Sequence, residues 1–565
     1  MQKDPYIIGF SDSVHDRSVC LFKGSTPLVA IEEERLTRVK HALDIFKESR
    51  KDPSLFMKLK LELSPAAQNE KNLLRSIQYC LDAHSLSLDQ IDYFVGNSLH
   101  LFFPFRDRSL YVNHHLAHAA SAFFASGFDD AAILIMDGYG DPVASGEYET
   151  VLIADGSGND LRVVSTVSGQ VSNYYDMENS LGVFYRIGTL LAGFGLFDEG
   201  KAMGLSAYGK PKYYERIAAH ICYGDAVVKV DNKSIWEELS LAIVPRDAFE
   251  VRADVAASFQ KHLEEIVAHY ADIAKKKTGK TRLCIAGGTG LNCVSNAKLL
   301  LSGQFDDVFV FPATGDNGIS LGSAYYLAHT VLRLPRTPQL PAAYLGRDYS
   351  DEECERALQM CKGQVEYRKM TTEERCAEAV RLLLDHDILM WFQGGSEIGP
   401  RALGHRSILA NPDNKKTKDY INEKVKFREM FRPLAPIVLE DQASKYFRIP
   451  KASPYMLFSP PIQKITKEVA PAVVHVDNTA RLQTLNKTQN PILYEVISRF
   501  GSSSGCPIVL NTSFNGKDEP IVETPQEAIR TFLGSPVSHL FLESFYVKKL
   551  QINDQSKMMP ELERT

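Results

Sequence analysis

The strongest constraint on the fold is an internal repeat. Residues 6–34 run strand, turn, strand, turn, strand: YIIGFS, DSVHDR, SVCLFKG, TPLVAIEEE. Residues 131–167 follow the same plan: AAILIMD, GYGDPVAS, GEYETVLIADG, LRVVSTV. Each unit sets an aspartate and a small-residue turn after its first β-rich run, Asp12 in one and Asp137 in the other. Alternating and β-branched runs bounded by turn residues read as strands, and a repeated unit outranks local propensity. Two β-meanders, each followed by helical segments, predict a two-lobed α/β domain with a cleft between the lobes.

Two strand-to-helix transitions follow. RLCIAGGTGLNCVSNAKLLL has a short strand, a glycine loop at 287–290 and a helix from about Leu291. VFVFPATGDNGISLGSAYYLAHTVL has a strand ending near Pro312, a loop carrying Asp316, then a helix. In α/β folds ligands gather at the carboxyl ends of strands. Gly287, Gly288 and Gly290 would let backbone N–H groups approach a phosphate at a helix start; such a loop also serves as a tight turn. The proline-rich stretch 332–344 reads as a connector. Beyond it Ser350 caps a helix, and ILMWFQ, PIVLNTS and HLFLESFYVKK supply strands for a second core. The expected division is 1–342, 343–548 and a polar tail 549–565.

The net charge of −6 across 565 residues offers no whole-chain surface for nucleic acid or membrane, so any anion site must be local. Nine cysteines without a CxxC pair suggest neither a zinc ribbon nor a disulfide framework. No run approaches the ~18 apolar residues of a membrane span, and the N-terminus lacks a signal-peptide pattern. The expected location is cytoplasmic.

In VNHHLAHAA, residues 112–120, His114 and His118 lie one helical turn apart on one face. Alone, that spacing also describes a packed helix face. With Asp137 and Asp316 it makes two imidazoles and two carboxylates with open positions, a set suited to iron(II), manganese or zinc. His15 lies in the first hairpin turn with Asp12 and Asp16. It reads as a general base near neutral pH or as a surface turn residue.

In the second half, between Asn414 and Arg432, seven Lys or Arg face three Asp or Glu. Phe427, Phe431 and Pro433 interleave with them, which predicts partial burial. Arg401 and Arg432 sit beside prolines, in GPRAL and FRPLAP. A buried arginine requires an anionic partner, and phosphate oxygens match the guanidinium fork. Asn511, Thr512 and Ser513 offer polar groups at the end of the strand PIVL.

In series, HHLAH, LIMDGYGD, LGVFYRIGTLLAGF, EGKAMGLSAYG, GGTGLNCVSN and TGDNG resemble the carbamoyltransferases of the NodU and antibiotic-tailoring type. The likeness covers roughly residues 6–545. It implies an α/β protein: an N-terminal Kae1-like duplicated domain of the actin/sugar-kinase/Hsp70 superfamily, plus a C-terminal YrdC-like α/β domain. It also implies an ATP-dependent O-carbamoyltransferase that takes carbamoyl phosphate, through carbamoyl adenylate, to a hydroxyl of a small-molecule, natural-product acceptor. By motif, His114, His118, Asp137 and Asp316 would hold iron(II) or another divalent metal, with Mg²⁺ accompanying ATP. His15, with Asp12, would be catalytic. Gly138, Lys201, Gly287, Gly288 and Asn292 would bind the nucleotide at the transfer site. Arg401, Lys424, Lys426, Arg428, Arg432, Arg481, Asn511 and Ser513 would bind carbamoyl phosphate and ATP at the activation site. No nucleic-acid or membrane partner is implied, and a homodimer is the candidate assembly. The alternatives are a sugar-kinase-like phosphotransferase and a tRNA threonylcarbamoyl-type transferase. The chain departs from the family pattern at GGTGLNC, where GGVALNC is expected, and at His405, where the pattern has Asn. It also departs over residues 41–70, which would face the acceptor.

Overall fold

The computed structural model describes residues 4–13, 15–42, 66–98, 105–171, 176–243, 247–336, 340 and 342–550. Most of the segment expected to face the acceptor (43–65) and most of the polar tail (551–565) lie outside the described residues.

The repeat folds as a repeat. β1 (Tyr6–Asp12), β2 (Ser18–Lys23) and β3 (Thr26–Glu32) form an antiparallel meander. β4 (Tyr93–Ser98) and β5 (Ser109–Tyr111) add in parallel, giving the order β3-β2-β1-β4-β5. The second copy uses β6 (Asp130–Met136), β7 (Pro142–Ala144), β8 (Glu147–Ser157) and β9 (Asp160–Gln170). After a small hairpin, β10 (Ile221–Tyr223) and β11 (Val228–Val230), come β12 (Arg282–Ala286) and β13 (Asp307–Val310). Here β8 pairs antiparallel with β6 and β9, while β12 and β13 add in parallel, so the order β9-β8-β6-β12-β13 reproduces the first sheet. The first half is thus a duplicated α/β domain, as the sequence repeat predicts. The central strands β1 and β6 are apolar and buried on both faces because each is covered on both sides.

The two copies meet through helices. α1 (Glu33–Thr37) follows β3, and α2 (His114–Ser126) follows β5. The long α3 (Phe249–Thr278) precedes β12, α4 (Cys293–Leu301) follows it, and α5 (Ile319–Tyr325) follows β13. α2 and α5 occupy equivalent places in the two copies and cross where a Cβ on Gly322 would stand 1.9 Å from the Ala117 carbonyl oxygen. The alanines of HHLAHAASAFFAS therefore allow two helices to touch at backbone distance between the sheets. That crossing brings the start of α2, with His114, to the loop before α5, with Asp316.

The C-terminal half is an eight-stranded mixed sheet. Its strands are β14 (Val365–Lys369), β15 (Leu389–Phe392), β16 (Arg406–Ala410), β17 (Ala435–Leu439), β18 (Gln483–Leu485), β19 (Ile508–Ser513), β20 (His539–Leu542) and β21 (Phe545–Lys549). They run in the order β14-β21-β20-β15-β16-β19-β17-β18, with an apolar cluster on each face. The main core of the first half continues into this one through Ile398, Leu403, Ala435 and Tyr455–Phe458. Asn296 Nδ2 donates to the Leu457 carbonyl at 3.1 Å and Tyr455 Oη to the Leu340 carbonyl at 2.6 Å, so the halves are joined by buried hydrogen bonds. No helix among the described residues is long and apolar enough to cross a membrane.

Candidate functional site

His114 and His118 open α2, whose first turn is capped by Asn113 Oδ1 accepting from Leu116 N at 2.9 Å. Asp137 directly follows the strand β6, and Asp316 lies in the turn after β13. His114 Nε2 stands 3.1 Å from Asp137 Oδ2 and 3.7 Å from Asp316 Oδ1. His118 Nε2 stands 3.4 Å and 3.8 Å from the same two oxygens. All four residues are buried, and their ligand atoms lie within 4.8 Å of one another. Ligands about 2.0–2.2 Å from one ion would be about 3.0–3.5 Å apart, so the set fits a divalent cation after a small contraction. His118 has no hydrogen bond at either ring nitrogen, an expensive state for a buried imidazole unless a ligand occupies the centre. The other Asp137 oxygen accepts from Gly138 N at 2.8 Å and Gly288 N at 3.0 Å, which fixes the carboxylate plane. Burial opposes its charge, but the hydrogen bond with His114 and the nearby His118 imidazole outweigh that and hold its carboxyl well below the usual range.

His15 stands beside this cluster. Its Nδ1 is 3.0 Å from Asp16 Oδ2, and its Nε2 is 3.9 Å from Asp316. The other Asp16 oxygen is 2.7 Å from His41 Nδ1. Both imidazoles rest against Phe197, with ring centroids 4.8 and 4.6 Å away. Burial disfavours the imidazolium of His15, but Asp316 and Asp16 outweigh it and raise the pKa to about 9. A cation among the four ligands would offset the pull of Asp316 and lower it again. Asp16, His41 and Phe197 were not singled out by motif. The adjacent pair His15–Asp16 was visible, but only the fold shows that Asp16 joins two histidines 26 positions apart in the chain.

The glycine loop has a structural purpose as well. Gly287 has φ +88°, and a Cβ there would stand 2.3 Å from the Met136 carbonyl, so it permits β6 and β12 to end side by side. The Gly288 N–H is already donated to Asp137. The loop therefore shapes the acidic cluster, and its Gly288 and Thr289 lie on the cavity wall. Asn292 caps α4 and exchanges bonds of 3.1 and 2.9 Å with Gln260. Lys201 reaches Asp198 at 3.0 Å and, across to the second half, Glu429 at 3.4 Å. Asp12, fully buried at the end of β1, lies behind the site and not on its wall.

At the other end stand Arg401, Lys426, Arg428, Arg432 and Arg481. Arg432 is 3.8 Å from Glu429. Arg401 and Arg481 have no hydrogen bond at their buried Nε atoms. Burial and the charge of Arg401 push Arg481 down to about 9; burial with Arg428 and Arg432 holds Lys426 well below its usual value. Lys426 Nζ donates to the Ser513 and Asn515 carbonyls at 2.8 and 2.9 Å. Asn511 Nδ2 donates to the Ala402 carbonyl at 2.9 Å, tying β19 to the GPRAL loop. Such a concentration of desolvated cations has the charge and donor chemistry that suit a polyanion. Three expectations change. Lys424 is half exposed on the outer side of its turn, pairs with Glu423 at 2.8 Å and does not reach the cavity. Phe427 is 54% exposed rather than an element of burial; Phe431 supplies that instead, against Phe194 and Phe249. His405 stacks on Tyr344 at 3.5 Å, away from the cavity, so the departure there leaves the cavity wall unchanged.

One cavity of about 1110 Å³ joins these ends. Its wall includes His15, Asp137, Asp316 and Lys201 at one end, and Arg401, Lys426, Arg428, Arg432, Arg481 and Ser513 at the other. Fold and site thus define a two-module α/β enzyme with a metal-type cluster and a cluster of buried cations on a single cavity. Family comparison agrees with that division: residues 97–325 match the carbamoyltransferase N-terminus and residues 380–549 the carbamoyltransferase C-terminus. The chain belongs to the carbamoyltransferase family and is a transferase. It is 35% identical to the nodulation protein NolNO of Sinorhizobium fredii over 95% of this chain and 79% of that protein. It is 38% identical to the nodulation protein NolO of Bradyrhizobium diazoefficiens over 78% of this chain and 79% of that one. Among solved structures, full-length HypF in its phosphate- and nucleotide-bound form is similar over 58% of this chain and 56% of that one, with a TM-score of 0.38 and 15% identity.

Proposed function

We propose that the protein is an ATP-dependent O-carbamoyltransferase acting on a hydroxyl of a small-molecule, natural-product acceptor. The observation that carries this reading is the single cavity linking the cation cluster to His15. At the cation end, carbamoyl phosphate loses phosphate to water, and the carbamate oxygen attacks the α-phosphorus of ATP. Pyrophosphate leaves and carbamoyl adenylate remains. Arg401, Arg428, Arg432 and Arg481 would bind these phosphates, and Mg²⁺ would accompany ATP. The mixed anhydride is water-labile, so passage within a single cavity limits its hydrolysis.

At the other end, Asp16 holds His15 Nδ1, which directs Nε2 toward the acceptor. His15 takes the hydroxyl proton, the acceptor oxygen bonds to the carbamoyl carbon, and the bond from that carbon to the phosphate oxygen breaks, releasing AMP. His114, His118, Asp137 and Asp316 would hold a divalent metal, iron(II) by family resemblance, which when bound supplies positive charge for oxygens of the nucleotide or carbamoyl group. A sugar-kinase-like reaction would leave the second-half arginines without a substrate.

Mixing the protein with ATP, carbamoyl phosphate and Mg²⁺ should yield pyrophosphate only when carbamoyl phosphate is present; ADP in its place would support a phosphotransferase. Metal-stripped protein should gain thermal stability on titration with Mn²⁺ or Co²⁺, by about 2.7 kcal/mol at a hundredfold excess over Kd. His118→Ala should lose that gain, and an unchanged gain would remove the four residues from the metal site.

A further inference from the structure

Beyond the residues that face substrate, one buried ion pair connects the loops that carry the two ends of the cavity. Glu32, the last residue of β3, and Arg35, in α1, are 3% and 1% exposed. Arg35 Nε donates to Glu32 Oε2 at 2.6 Å, and Arg35 Nη2 donates to the Gly399 carbonyl at 2.9 Å. Glu32 Oε1 accepts from Gly399 N at 2.8 Å and also from Asn317 Nδ2. Asn317 adjoins Asp316 of the metal-type cluster, and Gly399 lies two residues before Arg401 of the cation cluster. The two loops also touch: Gly399 has φ +100°, and a Cβ there would stand 2.6 Å from the Pro312 carbonyl. Glu32, Asn317 and Pro400 all lie on the cavity wall between its ends.

We propose that Glu32 and Arg35 act as a positioning staple. They hold the Asp316 loop against the Arg401 loop and keep water out of the passage that carries the activated carbamoyl group. A single carboxylate bonded to both loops cannot follow one without moving the other. A buried, hydrogen-bonded ion pair is a weak source of stability but a strong constraint on geometry. The inference rests on the two-site reading given above. If the staple loosens, water attacks the carbamoyl carbon of the adenylate. The new C–O bond gives carbamate, AMP leaves with its phosphate oxygen, and carbamate takes a proton and falls to carbon dioxide and ammonia.

The test needs no acceptor. Glu32→Gln keeps an oxygen for Gly399 and Asn317 but turns an amide N–H toward Arg35 and removes the charge. Arg35→Lys is milder: it keeps the charge and loses the fork spanning Glu32 and Gly399. Each variant and the unsubstituted protein are mixed with ATP, carbamoyl phosphate and Mg²⁺, and pyrophosphate and ammonia are followed in time. The unsubstituted protein should release a burst of about one pyrophosphate per chain and then turn over slowly, because the intermediate is retained. Both variants should keep the burst and raise the later turnover several-fold, with ammonia rising in step. A purely structural role lowers burst and turnover together, and that result overturns the proposal, as does fast acceptor-free turnover of the unsubstituted protein. Should Glu32→Gln not fold, Arg35→Lys decides the matter alone. No carbamoyl-phosphate-dependent pyrophosphate from the unsubstituted protein would instead sink the proposed function, and this inference with it.

Discussion

His15→Ala is expected to reduce acceptor carbamoylation by about 10²–10⁴-fold, the usual worth of a positioned general base, while acceptor-free pyrophosphate release stays within a factor of two or so. The separation of effects follows from geometry. His15 contacts Asp16, Asp316 and Phe197, all in the N-terminal half, and none of the arginines at the far end of the cavity. Asp16→Asn should cause a smaller loss, because it leaves the ring in place but weakens the bond that orients Nδ1. Added imidazole should restore part of the activity of the alanine variant and none of the asparagine variant's deficit, since the latter still fills the space. Carbamoylation would be measured with an acceptor found by screening the unsubstituted protein. Surviving transfer in His15→Ala would show that another group takes the proton. Loss of pyrophosphate release in the same variant would show that the two ends do not act separately.

Arg481→Met should act in the opposite half and in two opposite directions. Pyrophosphate formation should fall by about two orders of magnitude, as for loss of one charged donor to a transferring phosphate. The ligand-free protein should at the same time melt a few degrees higher. Arg481 is crowded by burial and by Arg401, which push it down to about 9, far below an ordinary guanidinium. A depressed pKa means that the folded state binds fewer protons than the unfolded chain between these values. The associated stability is present above the unfolded value and lost as pH falls through about 9, so the strain is at full size near neutrality. Methionine keeps the stem and removes the charge. Inorganic pyrophosphate should therefore stabilise the unsubstituted protein more than the variant in a thermal-shift titration. A lower melting temperature for the ligand-free variant would mean that Arg481 is a structural residue. Normal pyrophosphate formation would remove it from the activation site.

The repeat was legible because strand order follows from connectivity. A meander followed by two crossovers has few ways to pair, so two copies of one pattern give two copies of the order β3-β2-β1-β4-β5. The four metal-type residues were legible as residue types at element ends. The glycine loop was legible as a loop but its structural use was not: only the tertiary fold shows Gly287 serving strand approach and the Gly288 N–H bonded to Asp137. Lys424 was misread because a basic run contains charges on both sides of a turn, and only Lys426, Arg428 and Arg432 of that run reach the cavity.

What the chain determines by local rules is therefore the duplicated sheet, the His-x-x-x-His face, the strand-end aspartates and the surplus of basic residues after Asn414. What the tertiary structure alone decides is which of them share a volume. The α2–α5 crossing at Gly322 brings His114 and His118 to Asp316. The continuous core through Leu457 seats the cation cluster opposite them, and Glu32 with Arg35 ties the two loops between. These contacts join residues hundreds of positions apart, and their spacing is set by how helices and sheets pack at backbone distance, a quantity with no signature in any short stretch of sequence.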